Sequence, residues 1–297
     1  MEYKRILLVG GSGYLGRHLT SFLKKSSCID IFITGSKKSQ QEGYFQIDFE
    51  QKETFNNIQK LKFDLVIILA SKLGALGIKS LNHPDLTINT LGYAGFLQYL
   101  YDNQITQKII YTSSMTVYDS NNSIPVKEDD KIAPVNTYGL SKYLAEVITD
   151  FFCKQNNLKG VILRLPGIYG GDKNNGFIYN TIKKAKDNQL IELDTQGLVY
   201  WETIFINDLC EMIWDFLKQY QWELPTDIFN VSYGCETDFN TTAEFIVASL
   251  QKGNLKIKNE KKGYVPFYLS NEKIGKLIEV KTDYFGKLNQ YLNDMVL

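Results

Sequence analysis

Six short runs of consecutive apolar, largely β-branched residues mark the first 165 positions: RILLV at 5–9, IDIFIT at 29–34, YFQID at 44–48, DLVIILA at 64–70, KIIYTSS at 108–114 and GVILRL at 160–165. Runs that stay apolar rather than alternating with polar residues suit strands covered on both faces. Helical stretches such as RHLTSFLKK at 17–25 separate them, and alternation of this kind predicts right-handed β-α-β units in a parallel sheet. The expected fold is α/β, a Rossmann-type doubly wound parallel sheet with a smaller, interleaved C-terminal substrate-binding domain. After Arg164 the rhythm changes to GIYGGDKNNGF (167–177) and QGLVYWETIF (196–205), rich in glycine and aromatics. ETIFIN (202–207) and DIFNVS (227–232) still read as sheet strands. The division predicted is therefore 1–166 for the dinucleotide domain, with 202–233 returning to it, and 167–201 plus 234–297 for the substrate domain.

The first strand runs directly into Gly10-Gly11-Ser12-Gly13-Tyr14-Leu15-Gly16 and then a helix. Gly11, Gly13 and Gly16 fit G-x-G-x-x-G, while Gly10, Gly13 and Gly16 fit the looser G-x-x-G-x-x-G. Glycines are needed where a tight turn takes positive φ, where backbone approaches a pyrophosphate and where helix packs closely on strand. The amides opening the helix, at Tyr14 and Leu15, then face the phosphates. A plain strand-to-helix turn could carry the same glycines, but the position between a strong strand and a helix favours a dinucleotide. The second strand ends Thr34-Gly35-Ser36-Lys37-Lys38 without the carboxylate that accepts from the ribose 2′-hydroxyl of NAD. Ser36 and Lys37 suit a 2′-phosphate, so NADP(H) is preferred, with NAD(H) the other possibility.

Tyr138-Gly139-Leu140-Ser141-Lys142 opens a later helix, and the spacing of four sets Tyr138 and Lys142 on one face. A phenol titrating near 10 is a poor acid-base group at neutral pH, and a neighbouring ammonium is expected to lower it. Ser114 ends the strand before, at the sheet edge where ligands of this architecture sit. It can hydrogen-bond a reacting oxygen, or simply cap the strand end.

Composition narrows the partner. The 297 residues are 44% apolar and 13% aromatic, enough for a large core, and 33 basic side chains balance 33 acidic ones, so no nucleic-acid partner is expected. Cys28, Cys153, Cys210 and Cys235 lie far apart without metal-ligand spacing and are expected to be reduced, mostly buried thiols; no metal is predicted. The apolar run at 6–9 is too short for a signal peptide and no stretch approaches a membrane span, so a cytoplasmic protein without membrane contact is expected.

Together these segments resemble the extended short-chain dehydrogenase/reductases, of the NAD-dependent epimerase/dehydratase type that modifies nucleotide sugars. The resemblance rests on the glycine turn at 10–16, Asp48-Phe49, IILAS at 67–71, Asn89-x-x-Gly92, SSMTVY at 113–118, Y-x-x-x-K at 138–142 and RLPGIYG at 164–170. It implies that Tyr138 is the acid-base residue, that Lys142 holds the nicotinamide ribose and tunes the phenol, and that Ser114 positions the substrate oxygen. Asp48 and Phe49 would frame the adenine, with Leu69, Ala70 and Ser71 passing under the cofactor. Asn89 and Thr112 would contact it too, and Leu165, Gly167 and Ile168 would approach the nicotinamide. Met115, Phe177 and Trp201 would join Ser114 at the substrate. Helices near 89–102 and 138–155 would form a homodimer interface, as in relatives.

Sugar 4,6-dehydratases of this family carry an Asp-Glu pair after the catalytic hydroxyl; Met115-Thr116 stands here, which argues against dehydration. Two reactions remain. The turn at 36–38 favours NADPH-dependent reduction of a keto nucleotide sugar, of 4-keto-6-deoxy type; the alternative is C4 epimerisation with retained NAD, where SMTVY is at home. One departure concerns the substrate phosphates: relatives commonly have an arginine where Tyr200-Trp201-Glu202 stands, and an aromatic pair cannot replace a bidentate phosphate contact. Lys183, Lys184 and Lys186 could supply that contact, although a solvated helix face fits them as well. Trp201 keeps open a reductase of a non-nucleotide ketone, and a non-catalytic NADP-binding sensor is the remaining class.

Overall fold

Strand β1 (Arg5–Val9) is buried along nearly its whole length and feeds through the glycine turn into α1 (Tyr14–Ser26). The order continues β2 (Asp30–Gly35), β3 (Tyr44–Gln46), β4 (Leu65–Ile68), α2 (Pro84–Thr87), a π-helical turn at Ile88–Gly92 and α3 (Tyr93–Asp102). Next come β5 (Lys108–Ser114), a 3-10 turn at Met115–Val117, α4 (Thr137–Asn156), β6 (Lys159–Leu165) and β7 (Gly167–Tyr169). The rest is α5 (Phe177–Lys186), β8 (Leu190–Asp194), β9 (Thr203–Phe205), α6 (Ile206–Gln219), β10 (Thr226–Asn230), α7 (Phe239–Leu250), β11 (Asn254–Lys258) and α8 (Tyr284–Val296). This computed structural model describes residues 3–26, 29–73, 80–194, 202–258 and 267–296.

The chain divides into two compact units, Met1–Asp119 with Ile132–Arg164 and Trp214–Phe229, and Ser120–Lys131 with Leu165–Ile213 and Asn230–Leu297. In the first, seven strands form one sheet in the order β10-β6-β5-β4-β1-β2-β3. β1 pairs in parallel with β2 on one side and β4 on the other, so the strand order reverses at β1. That reversal opens a crevice at the carboxyl ends of β1 and β4, where this architecture binds ligands. The strands alternate their burial between the two faces. Leu7, Val66 and Ile68 meet Phe96, Leu97 and Leu100 of α3 and Ala145 of α4 in the core, while α1 packs on β1 and β2.

The expected strands at 5–9 and 108–114 have those bounds, but ETIFIN does not join the main sheet. β9 is three residues long and pairs with β7, Gly167 opposite Thr203 and Tyr169 opposite Phe205. Pro166, which lacks the amide a ladder needs, separates β7 from β6, and α6 begins at Ile206, leaving β9 no length to do more. Of the later chain the first unit takes in 214–229, and 120–131 falls to the second unit.

In the second unit β8 and β11 form a parallel ladder, and α7 packs against α5 and α8. Phe177 meets Phe239 edge-on at 4.8 Å between ring centres. Cys153 and Cys210 are buried free thiols, Cys235 a half-buried one, and Cys28 lies outside the described residues. Among the described residues no helix is long and apolar enough to cross a membrane.

Candidate dinucleotide and catalytic site

Thr34 at the end of β2 laces the glycine turn. Its hydroxyl accepts from Gly10 N–H at 3.1 Å and its carbonyl from Ser12 N–H at 3.1 Å, while Gly13 N–H closes onto the Gly10 carbonyl at 2.9 Å. Gly10 has φ +85°, and a Cβ there would lie 2.7 Å from the Ala70 amide nitrogen. A Cβ on Gly16 would lie 2.4 Å from the Gly10 carbonyl oxygen. In both cases the obstacle is backbone, which cannot move aside, so the turn can exist only with glycine. It forms one wall of a cleft of about 490 Å³. The first amides of α1, at Tyr14, Leu15 and Gly16, have no acceptor within the helix, and these residues line the cleft.

The opposite walls come from the loops after β3 and β4. Asp48 and Phe49 line the cleft, and so do Leu69, Ala70 and Ser71. Phe49 is also a core ring, 5.3 Å from Phe96. A Cβ on Gly92 would lie 2.8 Å from the Phe49 carbonyl oxygen, which explains the glycine of Asn89-x-x-Gly92: the π-helical turn must press against that loop. Glycines that only bare backbone could replace, helix-opening amides and two loop walls fit a bound dinucleotide in shape and polarity. Ser36 lines the cleft; Lys37 does not, and its carbonyl accepts from the Tyr44 hydroxyl.

Asn89 lies outside the cleft lining and acts as a clamp. Its Oδ1 accepts from Lys72 N–H at 2.8 Å, and its Nδ2 donates to the Lys72 carbonyl at 2.9 Å and to Ser141 Oγ at 3.0 Å. The loop behind β4 is thereby tied to α4. Thr112 is buried, its hydroxyl donating to the Ile68 carbonyl at 3.1 Å. Sequence reasoning did not single out Ser12, Gly35, Ile47, Glu50, Lys72 and Ile88, which also line the cleft. Ser12 and Gly35 were within reach of it, because the glycine pattern and the second strand end there.

Helix α4 starts at an Asn136 cap, whose side chain accepts from Gly139 N–H at 2.8 Å. A Cβ on Gly139 would lie 2.3 Å from the Thr116 carbonyl oxygen, so this glycine lets the first turn of α4 press on the turn that follows Ser114. Ser114 Oγ accepts from Thr116 N–H at 3.2 Å and from Thr116 Oγ1 at 3.0 Å. Both acceptor positions are then engaged in capping the turn, and the hydroxyl's own proton is the part that can be offered to a ligand oxygen. The neighbouring Met115 is buried.

Tyr138 hydrogen-bonds the side chain of Ser71 on the cleft wall, which joins α4 to the cleft. Its phenol is pushed up to about 12, first by burial, with the Asp85 carboxylate adding and Ser71 opposing. The expected lowering by Lys142 is therefore not what this arrangement gives. Lys142 is itself buried and pulled down to about 7, with its Nζ 4.4 Å from the centre of the Tyr111 ring. Burial is the largest cause at both groups: the Asp85 charge reinforces it at Tyr138 and the Glu146 charge opposes it at Lys142.

Leu165, Gly167, Ile168 and Phe177 belong to the second unit. Trp201 lies outside the described residues, but its neighbour Glu202 is buried and accepts from Ser232 Oγ and from Leu269 N–H at 2.8 Å. Lys183 and Lys184 are exposed on α5, whereas Lys186 donates to the Met295 carbonyl.

A glycine-turn cleft at the reversal point of a parallel sheet, bordered by a helix bearing Y-x-x-x-K, defines a short-chain dehydrogenase/reductase architecture. The chain belongs to the NAD dependent epimerase/dehydratase family, whose profile matches residues 6–232. It is 26% identical over 253 residues to a putative UDP-glucose 4-epimerase of Methanocaldococcus jannaschii, covering 81% of each chain. It is also 26% identical over 265 residues to a dTDP-4-dehydro-6-deoxyglucose reductase of Escherichia coli, covering 83% of this chain and 82% of the other. The crystal structure of Thermus thermophilus UDP-glucose 4-epimerase in complex with NAD has the same fold, with a TM-score of 0.80 at 16% identity over 97% of this chain and 98% of the other. The chain is thus a nucleotide-sugar-modifying enzyme of this family, using a nicotinamide dinucleotide.

Proposed function

We propose that the protein interconverts the C4 epimers of a nucleotide-activated hexose with NAD retained between turnovers. The observation that carries this reading is the family match over residues 6–232 together with two of the named relatives, a putative UDP-glucose 4-epimerase and a UDP-glucose 4-epimerase solved with NAD. Of the basic turn that favoured NADPH, Ser36 lines the glycine-turn cleft, while Lys38 lines a separate cavity with Gln46. The nicotinamide supplies a hydride acceptor and donor when bound. Tyr138 takes the proton of the sugar C4 hydroxyl and later returns it, while the Ser114 hydroxyl donates to the same oxygen and keeps it in line with the phenol. Met115-Thr116 offers no carboxylic acid to expel water, so the reaction stops short of dehydration.

A second reading, NADPH-dependent reduction of a 4-keto sugar, is favoured by the lack of a carboxylate at the end of β2 and by the reductase relative. Denaturing the purified protein and identifying the released nucleotide, followed by incubation with UDP-glucose, separates the two. Stoichiometric NAD and formation of UDP-galactose are expected. Protein that releases nothing, leaves UDP-glucose unchanged and oxidises NADPH with a dTDP-4-keto-6-deoxy sugar would overturn the epimerase reading.

The protein is further proposed to pair through α3 and α4. Leu144, Val147 and Phe151 follow one face of α4 at helical spacing, and Phe151 is 64% exposed; Leu91, just before α3, is 69% exposed. Apolar residues clustered this way on a solvent face mark a protein contact.

A further inference from the structure

The face of α4 that bears Tyr138 and Lys142 continues one turn on to Glu146, a carboxylate for which the proposed chemistry has no use. Spacing of four residues stacks all three along one side of the helix. Glu146 is 3% exposed and is gripped by both arms of Arg164 from β6, Nε to Oε1 at 3.0 Å and Nη2 to Oε2 at 2.7 Å. Arg164 in turn lies 4.7 Å over the Tyr118 ring, as Lys142 lies over Tyr111. Two cations and one anion are thus sealed together behind Tyr138. A buried ion pair is seldom more stabilising than apolar side chains of the same volume, so stability alone is a poor reason for this one.

We propose that Glu146, locked by Arg164, is a positioning residue for Lys142: held one turn along the same helix face, its carboxylate favours the charged form of the buried lysine, so that positive charge stands behind Tyr138 when the phenol gives up its proton. This rests on reading Tyr138 and Lys142 as the acid-base pair. Burial pulling down and the charge on Glu146 pulling up together leave Lys142 at about 7, so about half of it is charged at neutral pH. Without that charge it falls further and the ammonium is lost at neutral pH. The titratable and charged groups around the Tyr138–Lys142 pair are Glu146 on its own helix, Tyr111 from β5, Tyr118 from the turn after it, Arg164 from β6 and Asp85 from α2. Of the two carboxylates, Glu146 is the one that acts on Lys142 while Asp85 acts on Tyr138, and Arg164 acts through Glu146.

The test is carbon-13 NMR of the full-length protein labelled at lysine Cε, with Lys142 assigned through Lys142→Arg, followed against pH. Removing Glu146 alone strands a buried guanidinium, so Glu146→Gln is accompanied by the pair variant Glu146→Gln/Arg164→Gln and by Glu146→Asp. In the pair variant the Lys142 midpoint should fall by about one unit or more, a tenfold loss of charged lysine at fixed pH. The high-pH limb of kcat for UDP-hexose turnover should move down with it while KM stays near wild type, and Glu146→Asp should restore both. A wild-type midpoint in a folded pair variant overturns the proposal, as does a shifted midpoint with an unmoved kcat limb. A Tyr138→Phe enzyme that keeps its turnover defeats the acid-base reading instead, and is told apart because the NMR shift persists.

Discussion

With its phenol held near 12 by burial, Tyr138 is poised to give a proton and must be helped to accept one. Tyr138→Phe removes only the hydroxyl, so cofactor should still bind while kcat falls by about 10² to 10⁴, the usual contribution of a placed acid-base group. Steady-state turnover beside nucleotide titration checks both halves. Glu202 makes a second residue-scale prediction. Burial lifts its carboxyl from the ordinary value of 4.5 to about 7, so the folded protein holds a proton that the unfolded chain has released. Its contribution is fully present below 4.5 and is lost as pH rises to about 7, a loss of up to about 3 kcal/mol. Glu202→Gln should flatten that part of the profile, read as the difference in Tm between pH 5 and pH 8. Ser114, Tyr138 and Lys142 could be proposed from the sequence because Y-x-x-x-K is a local spacing and Ser114 ends a strand. The direction of the Tyr138 and Lys142 shifts was not, because burial is set by residues far away in sequence, such as Tyr111 and Asp85.

At the scale of elements, the glycine turn makes the sharpest demand. Gly16→Ala places a methyl group 2.4 Å from the Gly10 carbonyl oxygen, so α1 must tilt off β1 and its first amides leave the cleft wall. Nucleotide affinity should fall at least tenfold with thermal stability lowered by a few degrees, measured by titration and calorimetry; unchanged affinity would show that the turn does not hold the phosphates. The strands of the main sheet were readable because burial on both faces makes them apolar throughout. β9 was misplaced because a three-residue strand with two apolar side chains carries no mark of which partner it will find. Asn89 was visible in the sequence as a motif, yet its use as a clamp on Lys72 depends on how closely the π-helical turn approaches the β4 loop, and one-dimensional spacing does not encode that approach.

For the whole molecule, the exposed stripe on α4 predicts an assembly. Val147→Asp/Phe151→Asp should leave the fold intact, since both side chains are solvent-facing, and shift the protein from dimer to monomer in analytical ultracentrifugation. A monomeric wild type under the same conditions would remove the interface. A change of rhythm follows Arg164, where the first unit's segment 132–164 ends, whereas the segment 120–131 of the second unit carries no compositional mark.

Helix α4 presents the Tyr138–Lys142–Glu146 face to the interior and Val147 and Phe151 to solvent, and Asn89 pins it to a loop of the cofactor cleft. One rigid rod therefore belongs to two equilibria. Where loading the cleft stiffens that rod, linkage requires that nucleotide tighten the association of protomers by the same factor by which association tightens nucleotide. Dilution then becomes a means of loosening the nucleotide as well as separating the protomers.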